Sequence, residues 1–325
     1  MRKKLLFSSI LICFSLSIAA CGSQDASVSS PSITESSEGT VSDSSSSESE
    51  SSKGTRDNTP VCLVPDASGS NIIGEDLVDI NISNTKDGYI CVTYKGDASR
   101  TRIILTTPMG LSYNYDLYKD RCDTFPLTGE TGTYNVGIYE LISGNDYSVL
   151  FNEDFEVSSI DEYSPYLYPN QYVNFTKDTK AVSLASDLCL SANSDLDAVQ
   201  NIYNYVINNV EYDYDKADNV ESTYVPVVDD TLSTGKGICF DFASLMATML
   251  RSQGIPTRLE IGYAGDVYHA WISTYISEVG WVNGIIEFDG QNWELMDPTF
   301  ATTTSEKKLK NYIGEGDNYV TKFVY

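Results

Sequence analysis

Apolar residues in this 325-residue chain change their spacing near residue 180, and that change limits what the chain can fold into. Before it, the runs Tyr89 to Tyr94, Thr101 to Thr106, Tyr134 to Leu141 and Tyr147 to Val157 are rich in β-branched and aromatic residues, with Gly, Asn and Asp between them. They read as strands, and no helical period of useful length intervenes. After it, Leu196, Val199, Ile202, Tyr203, Val206, Ile207 and Val210 recur at helical spacing, with Ser194 and Asp197 placed as a capping box. A polar loop runs to Gly237. A second helix is expected from about Cys239, with Phe242, Leu245, Met246, Met249 and Leu250 as its buried stripe and Gly254-Ile255-Pro256 as its stop. Thr257 to Tyr263, Tyr268 to Ile276 and Ile285 to Phe288 read as strands, and Asp289-Gly290 turns the chain into Trp293 to Met296.

The expectation is an α+β chain in two folded units. Residues 61–160 suggest an immunoglobulin-like β-sandwich, with Gly132-Thr133-Tyr134 as a tyrosine corner and Val136 where an antibody-type domain has cysteine. Residues 161–180, with Pro165 and Pro169, form a connector, and residues 181–325 form the second, α+β domain.

The start of the chain reads as an address. Residues 1–20 have a basic stretch (Arg2, Lys3, Lys4), an apolar stretch too short to span a membrane comfortably, and the small pair Ala19-Ala20. Ile18-Ala19-Ala20-Cys21 resembles a bacterial lipobox, which implies cleavage before Cys21 and a lipid on its thiol. Residues 21–60 are then a tether. Fifteen of the 39 residues from 22 to 60 are Ser, too polar a run to order itself. The protein is expected on the outer face of a cell membrane, held by lipid. Loss of residues 1–20, which carry three basic and no acidic residues, takes the formal charge from −25 to −28. So acidic a chain offers no basic surface to phosphates, which excludes nucleic acid as a partner.

Seven cysteines and one histidine remain to be sorted. Cys13 leaves with the leader, and Cys21 takes lipid. Cys62, Cys91, Cys122 and Cys189 allow three disulfide pairings, and free thiols are equally compatible. Cys239 stands at an expected helix N-terminus, where unpaired N–H groups and the helix dipole favour a thiolate. His269 is the only imidazole in the chain, and Asp297 follows it. In that order the three can form a triad: thiol nucleophile, imidazole base, orienting carboxylate. In a strand, His269 shares a face with Trp271. Taken singly, each has a blander reading: a buried cysteine, a core histidine, an Asp-Pro turn. One histidine and scattered cysteines do not supply a zinc site, and no nucleotide loop has the strand–turn–helix setting it needs, so neither metal nor cofactor is expected.

Gly237-Ile-Cys239-Phe-Asp241-Phe-Ala243, Leu250 through Arg258, Gly262-Tyr263, His269-Ala-Trp271 and Trp293 through Thr299 together resemble the core of the bacterial transglutaminase-like family, over about residues 195 to 300. The resemblance implies a papain-like α+β plan and acyl-transfer chemistry shared by transglutaminases, proteases and amidases. It also implies an oxyanion donor upstream of the nucleophile. No upstream Trp exists in this region, and Tyr224 is the candidate, alongside the Cys239 N–H. Asp241 is expected to be a structural partner, for example of Arg258. The expected substrate is a peptide or protein, cell-wall peptide among the choices. The rival is a non-catalytic adhesion or scaffold lipoprotein that keeps the fold.

Overall fold

The computed structural model describes residues 53–277, 280–283, 286–288, 293–295 and 319–325. All of them fall in one compact unit, residues 50–325. The first half is β as expected. Strands β1 (Ile72–Glu75), β2 (Val78–Asn81), β3 (Tyr89–Tyr94), β4 (Thr101–Thr106), β5 (Ser112–Leu117), β6 (Cys122–Pro126), β7 (Gly132–Ser143) and β8 (Asp146–Val157) form two antiparallel sheets, ordered β1-β2-β3-β6 and β5-β4-β7-β8. Along β4 the side chains alternate: Thr101, Ile103 and Leu105 are buried while Arg102, Ile104 and Thr106 are partly open. Both sheets feed one hydrophobic cluster, Ile80, Ile90 and Val92 from the first and Ile103, Leu105 and Ile138 from the second.

Helices then take over: α1 (Lys180–Leu188), α2 (Asp195–Asn209), α3 (Tyr214–Asn219), α4 (Val228–Thr234) and α5 (Cys239–Arg251), with a two-residue parallel pair of β9 (Glu211–Tyr212) and β10 (Lys236–Gly237). Ser194 caps α2 by accepting the Asp197 N–H at 3.1 Å. The Asp197 carboxylate reaches one residue further than a capping box requires, to the Asn193 N–H at 2.8 Å. A second sheet region follows: β11 (Thr257–Ala264), β12 (Val267–Ile276), β13 (Gly280–Asn283), β14 (Ile286–Phe288), β15 (Trp293–Leu295) and β16 (Tyr319–Val324). The order is β13-β12-β11-β16, with β14 and β15 as a separate antiparallel pair. Helix α5 packs on β11 and β12.

Two expectations need correction. The halves do not separate, because the last strand returns to the first half. β16 pairs with β11, and Tyr325 beyond it sets its ring edge-on to Tyr113, Tyr115 and Tyr172, with centroids 5.4, 5.8 and 4.7 Å away. Thr128 Oγ1 donates to the Val324 carbonyl at 2.9 Å. Arg251, fully buried at the end of α5, closes the seam. Its guanidinium donates to the backbone oxygens of Thr257, Tyr168 and Tyr325 at 2.9, 2.8 and 2.7 Å. The expected connector is therefore part of the core. The second correction concerns the tether, which ends earlier than residue 60. The Gly54 and Arg56 N–H groups donate to Leu190 and Ala192 carbonyls at 2.8 and 3.0 Å, and Arg56 pairs with Asp195 at 2.7 Å. A Cβ on Gly54 would lie 2.0 Å from the Ala192 oxygen, so only glycine allows this approach.

Candidate active site

Cys239 is the first residue of α5, and Ile238 is its N-cap. Ile238 has no acceptor in its side chain, so the start of the helix is held from the other direction. Asp241, two residues into the helix beyond Cys239, reaches back and accepts the Ile238 N–H at 2.8 Å. Its carboxylate is fully buried and also accepts from Tyr224 Oη at 2.5 Å and Lys216 Nζ at 2.7 Å. Lys216 Nζ donates in addition to Tyr224 Oη at 2.6 Å and lies 4.3 Å from the centre of that ring. The expected Arg258 partner is elsewhere. Its guanidinium lies 3.7 Å from the ring centre of Trp281 and 4.8 Å from that of Tyr166.

The loop before Cys239 is drawn in by glycine. Gly235, at φ +64°, ends α4. A Cβ on Gly237 would lie 2.6 Å from the Asp241 Cβ. The carbonyls of Gly235 and Gly237 accept the Glu211 and Asp213 N–H groups at 2.8 and 2.9 Å, which places Tyr212 beside the nucleophile. In the first turn of α5 the Ile238 carbonyl takes the N–H groups of Asp241 and Phe242, at 2.8 and 3.1 Å. The N–H groups of Cys239 and Phe240 take no backbone acceptor outside the helix among the described residues.

His269 lies on β12, opposite Gly262 of β11, and is buried. Its ring stacks along the strand with Trp271, as expected from the period of two, with centroids 6.3 Å apart and planes 21° from parallel. Helix α5, with Cys239 at its start, packs on the strand that carries His269. Asp297 and Cys21 lie outside the described residues.

Two neighbours of the thiol were not singled out from the sequence. Burial pushes the Tyr212 phenol up to about 12, and the charge of Cys239 is the next cause. The Tyr268 phenol is raised by partial burial, then by Tyr263 and Cys239. Both tyrosines feel the charge of Cys239 and stay protonated near neutrality. Tyr224, the oxyanion candidate, is engaged elsewhere in this structure. Its one proton goes to Asp241, and burial followed by that bond raises its pKa beyond the ordinary phenol range. Tyr212 could be found only from the β9–β10 pairing, which two residues of sequence do not announce.

Cys239 at a helix start, and His269 on a strand that helix packs against, are the candidate nucleophile and base. Residues 182–284 match the model of the transglutaminase-like superfamily, so the chain carries a transglutaminase-like α+β domain there. Similar proteins include the UPF0252 protein MJ1282 of Methanocaldococcus jannaschii, 30% identical over 34% of this chain and 34% of that protein. Mouse kyphoscoliosis peptidase is 29% identical over 38% of this chain and 19% of its own length. The uncharacterized protein YebA of Bacillus subtilis is 25% identical over 47% of this chain and 22% of its own. The chain thus spans about a third or less of the length of these curated relatives. Among solved structures, red sea bream transglutaminase is 14% identical with a TM-score of 0.29, over 65% of this chain and 48% of that one. A structure described as a TGase is 21% identical with a TM-score of 0.30, over 41% and 36%.

Proposed function

We propose that this chain is a thiol acyl-transfer enzyme that attacks amide bonds. The observation that carries the reading is Cys239 at the open N-terminus of α5, in a transglutaminase-like domain whose strand β12 holds the only histidine. Cys239 attacks the carbonyl carbon, and His269 takes the thiol proton and returns it to the leaving amine. Asp297 orients the imidazole. The Cys239 N–H and the Tyr212 phenol face the developing oxyanion. Tyr212 suits this role because its hydroxyl remains a donor beside the thiol. Water then releases the acid, as in a protease or amidase. Amine attack would make the same intermediate a transglutaminase product.

The setting belongs to the same proposal. Cys21 carries lipid, the Ser-rich segment after it acts as a spacer, and the domain works on peptide or protein outside the cell. Among the described residues, no helix is long and apolar enough to cross a membrane. The two N-terminal sheets are read as an immunoglobulin-like sandwich that buttresses the catalytic half through Tyr325. The test is an assay of peptide substrates with a labelled primary amine present. Hydrolysis or amine incorporation that disappears in Cys239→Ala supports the reading. Turnover that survives Cys239→Ala ends it, and no turnover in the native protein leaves the scaffold alternative.

A further inference from the structure

Cys91 of β3 stands opposite Thr124 of β6, and Thr93 stands opposite Cys122. Residues paired across a ladder, and residues two apart along a strand, point to the same face. Both thiols therefore leave the sheet on one side, two residues apart in register. That side is opposite the one that sends Ile90, Val92 and Phe125 into the core. It forms part of the wall of a cavity of about 800 Å³, which Cys62, Pro65, Arg121 and Asn170 also line.

The thiols of Cys91 and Cys122 interact electrostatically. Cys91 is 2% exposed, and its sulfur also lies 3.9 Å from the Asp66 carbonyl and from Thr124 Oγ1. Cys122 is open to solvent. An accessible thiol beside a protected one is the arrangement of an attacking and a resolving cysteine. That interaction sorts the roles. It lowers the Cys122 thiol towards thiolate and, together with burial, holds Cys91 protonated.

We propose that Cys91 and Cys122 form a dithiol–disulfide site, oxidised by a small-molecule disulfide that enters this cavity. The Cys122 thiolate attacks one sulfur of the disulfide and displaces the other as a thiolate, which takes a proton. Cys91 then gives up its proton and attacks the Cys122 sulfur, closing the protein disulfide and releasing the second small thiol. Two protein thiols lose two electrons and two protons, and one small disulfide becomes two thiols. The bond joins diagonal neighbours on strands that already pair, so β3 and β6 shift locally to bring the two sulfurs within bonding range. This site does not involve Cys239 and stands whether or not the acyl-transfer reading does.

The test uses the full chain, treated with excess hydroxyethyl disulfide, blocked with iodoacetamide and digested with trypsin without reduction. The expected result is peptide 87–95, which carries Cys91, joined to peptide 122–177, which carries Cys122. In Cys91→Ser, Cys122 should instead retain the mercaptoethanol adduct, because nothing resolves it. In Cys122→Ser, Cys91 should carry neither link nor adduct. Separate iodoacetamide labels on both peptides after oxidation would overturn the proposal. So would a link from either peptide to the Cys62 peptide 57–86.

Discussion

Lys216 donates to Asp241 at 2.7 Å, and the carboxylate it reaches is completely buried in the first turn of the helix that begins at Cys239. Three donors from three segments meet there: the Ile238 N–H, the Tyr224 hydroxyl and the Lys216 ammonium. Lys216→Met leaves the charge of Asp241 buried with no cation. Removing one partner of such a pair costs about 3–5 kcal/mol when both are buried. The ammonium side chain is 28% exposed, so the expected loss is smaller, roughly 2–4 kcal/mol. Thermal unfolding should show a midpoint lower by roughly 5–10 °C. An unchanged midpoint would mean the pair does not hold the nucleophile helix.

The two tyrosines upstream of the nucleophile should behave differently. Tyr212→Phe removes a free donor beside the thiol and should lower kcat roughly 10²-fold or more, with KM little changed. Tyr224→Phe removes a proton already given to Asp241. It should cost roughly 1–2 kcal/mol of stability and less than about tenfold in kcat. The reverse ranking of the two kcat values would return the oxyanion role to Tyr224.

The ring of Tyr325 sits among Tyr113, Tyr115 and Tyr172, so the two halves of the fold should melt together. Calorimetry should give one transition for residues 53–325. Tyr325→Ala should lower it by roughly 3–5 kcal/mol, as for other large core aromatics. Two resolved transitions, with only one moved by the substitution, would contradict a shared core.

What the sequence revealed follows from how locally each feature is determined. β3 and β4 were legible to the residue, because their β-branched and aromatic runs are bounded by turn residues. The start of α5 was legible because Gly235, Gly237 and the apolar stripe all mark it. The shared core was not, since it depends on Tyr325, beyond β16, packing on Tyr113, Tyr115 and Tyr172, a meeting of segments far apart in sequence. Docking of Gly54 and Arg56 on residues 190–195 was hidden for the same reason, beneath a tether-like composition. At the site, Cys239 and His269 stood out by chemistry and spacing. Tyr212 and Lys216 did not, because only the β9–β10 pair and α3 bring them to the start of α5.

The thiol of Cys122 should titrate unusually low. Its interaction with Cys91 is the main cause and brings it to about 7, against an ordinary value of 9.0. Iodoacetamide labelling of Cys122 should therefore rise through a midpoint near 7 and move up in Cys91→Ser. Linkage has a definite sign here. Between pH 7 and 9 the folded form binds fewer protons at this site than the unfolded form, so its contribution to stability grows as pH rises across that window. The contribution is lost as pH falls through 7. A labelling midpoint near 9 in the native protein would show that the two thiols do not interact.

The central claim is that Cys239 takes up an acyl group with His269 as its base. It is tested most directly by mixing the protein with a reactive peptide ester, quenching in acid and weighing the chain. An acyl adduct should appear, and digestion should place it on Cys239. Its formation at pH 7 should slow roughly 10²–10⁴-fold in His269→Ala, the range expected for loss of a general base, and vanish in Cys239→Ala. An adduct on another residue, or one that forms in His269→Ala at the native rate, would contradict the claim.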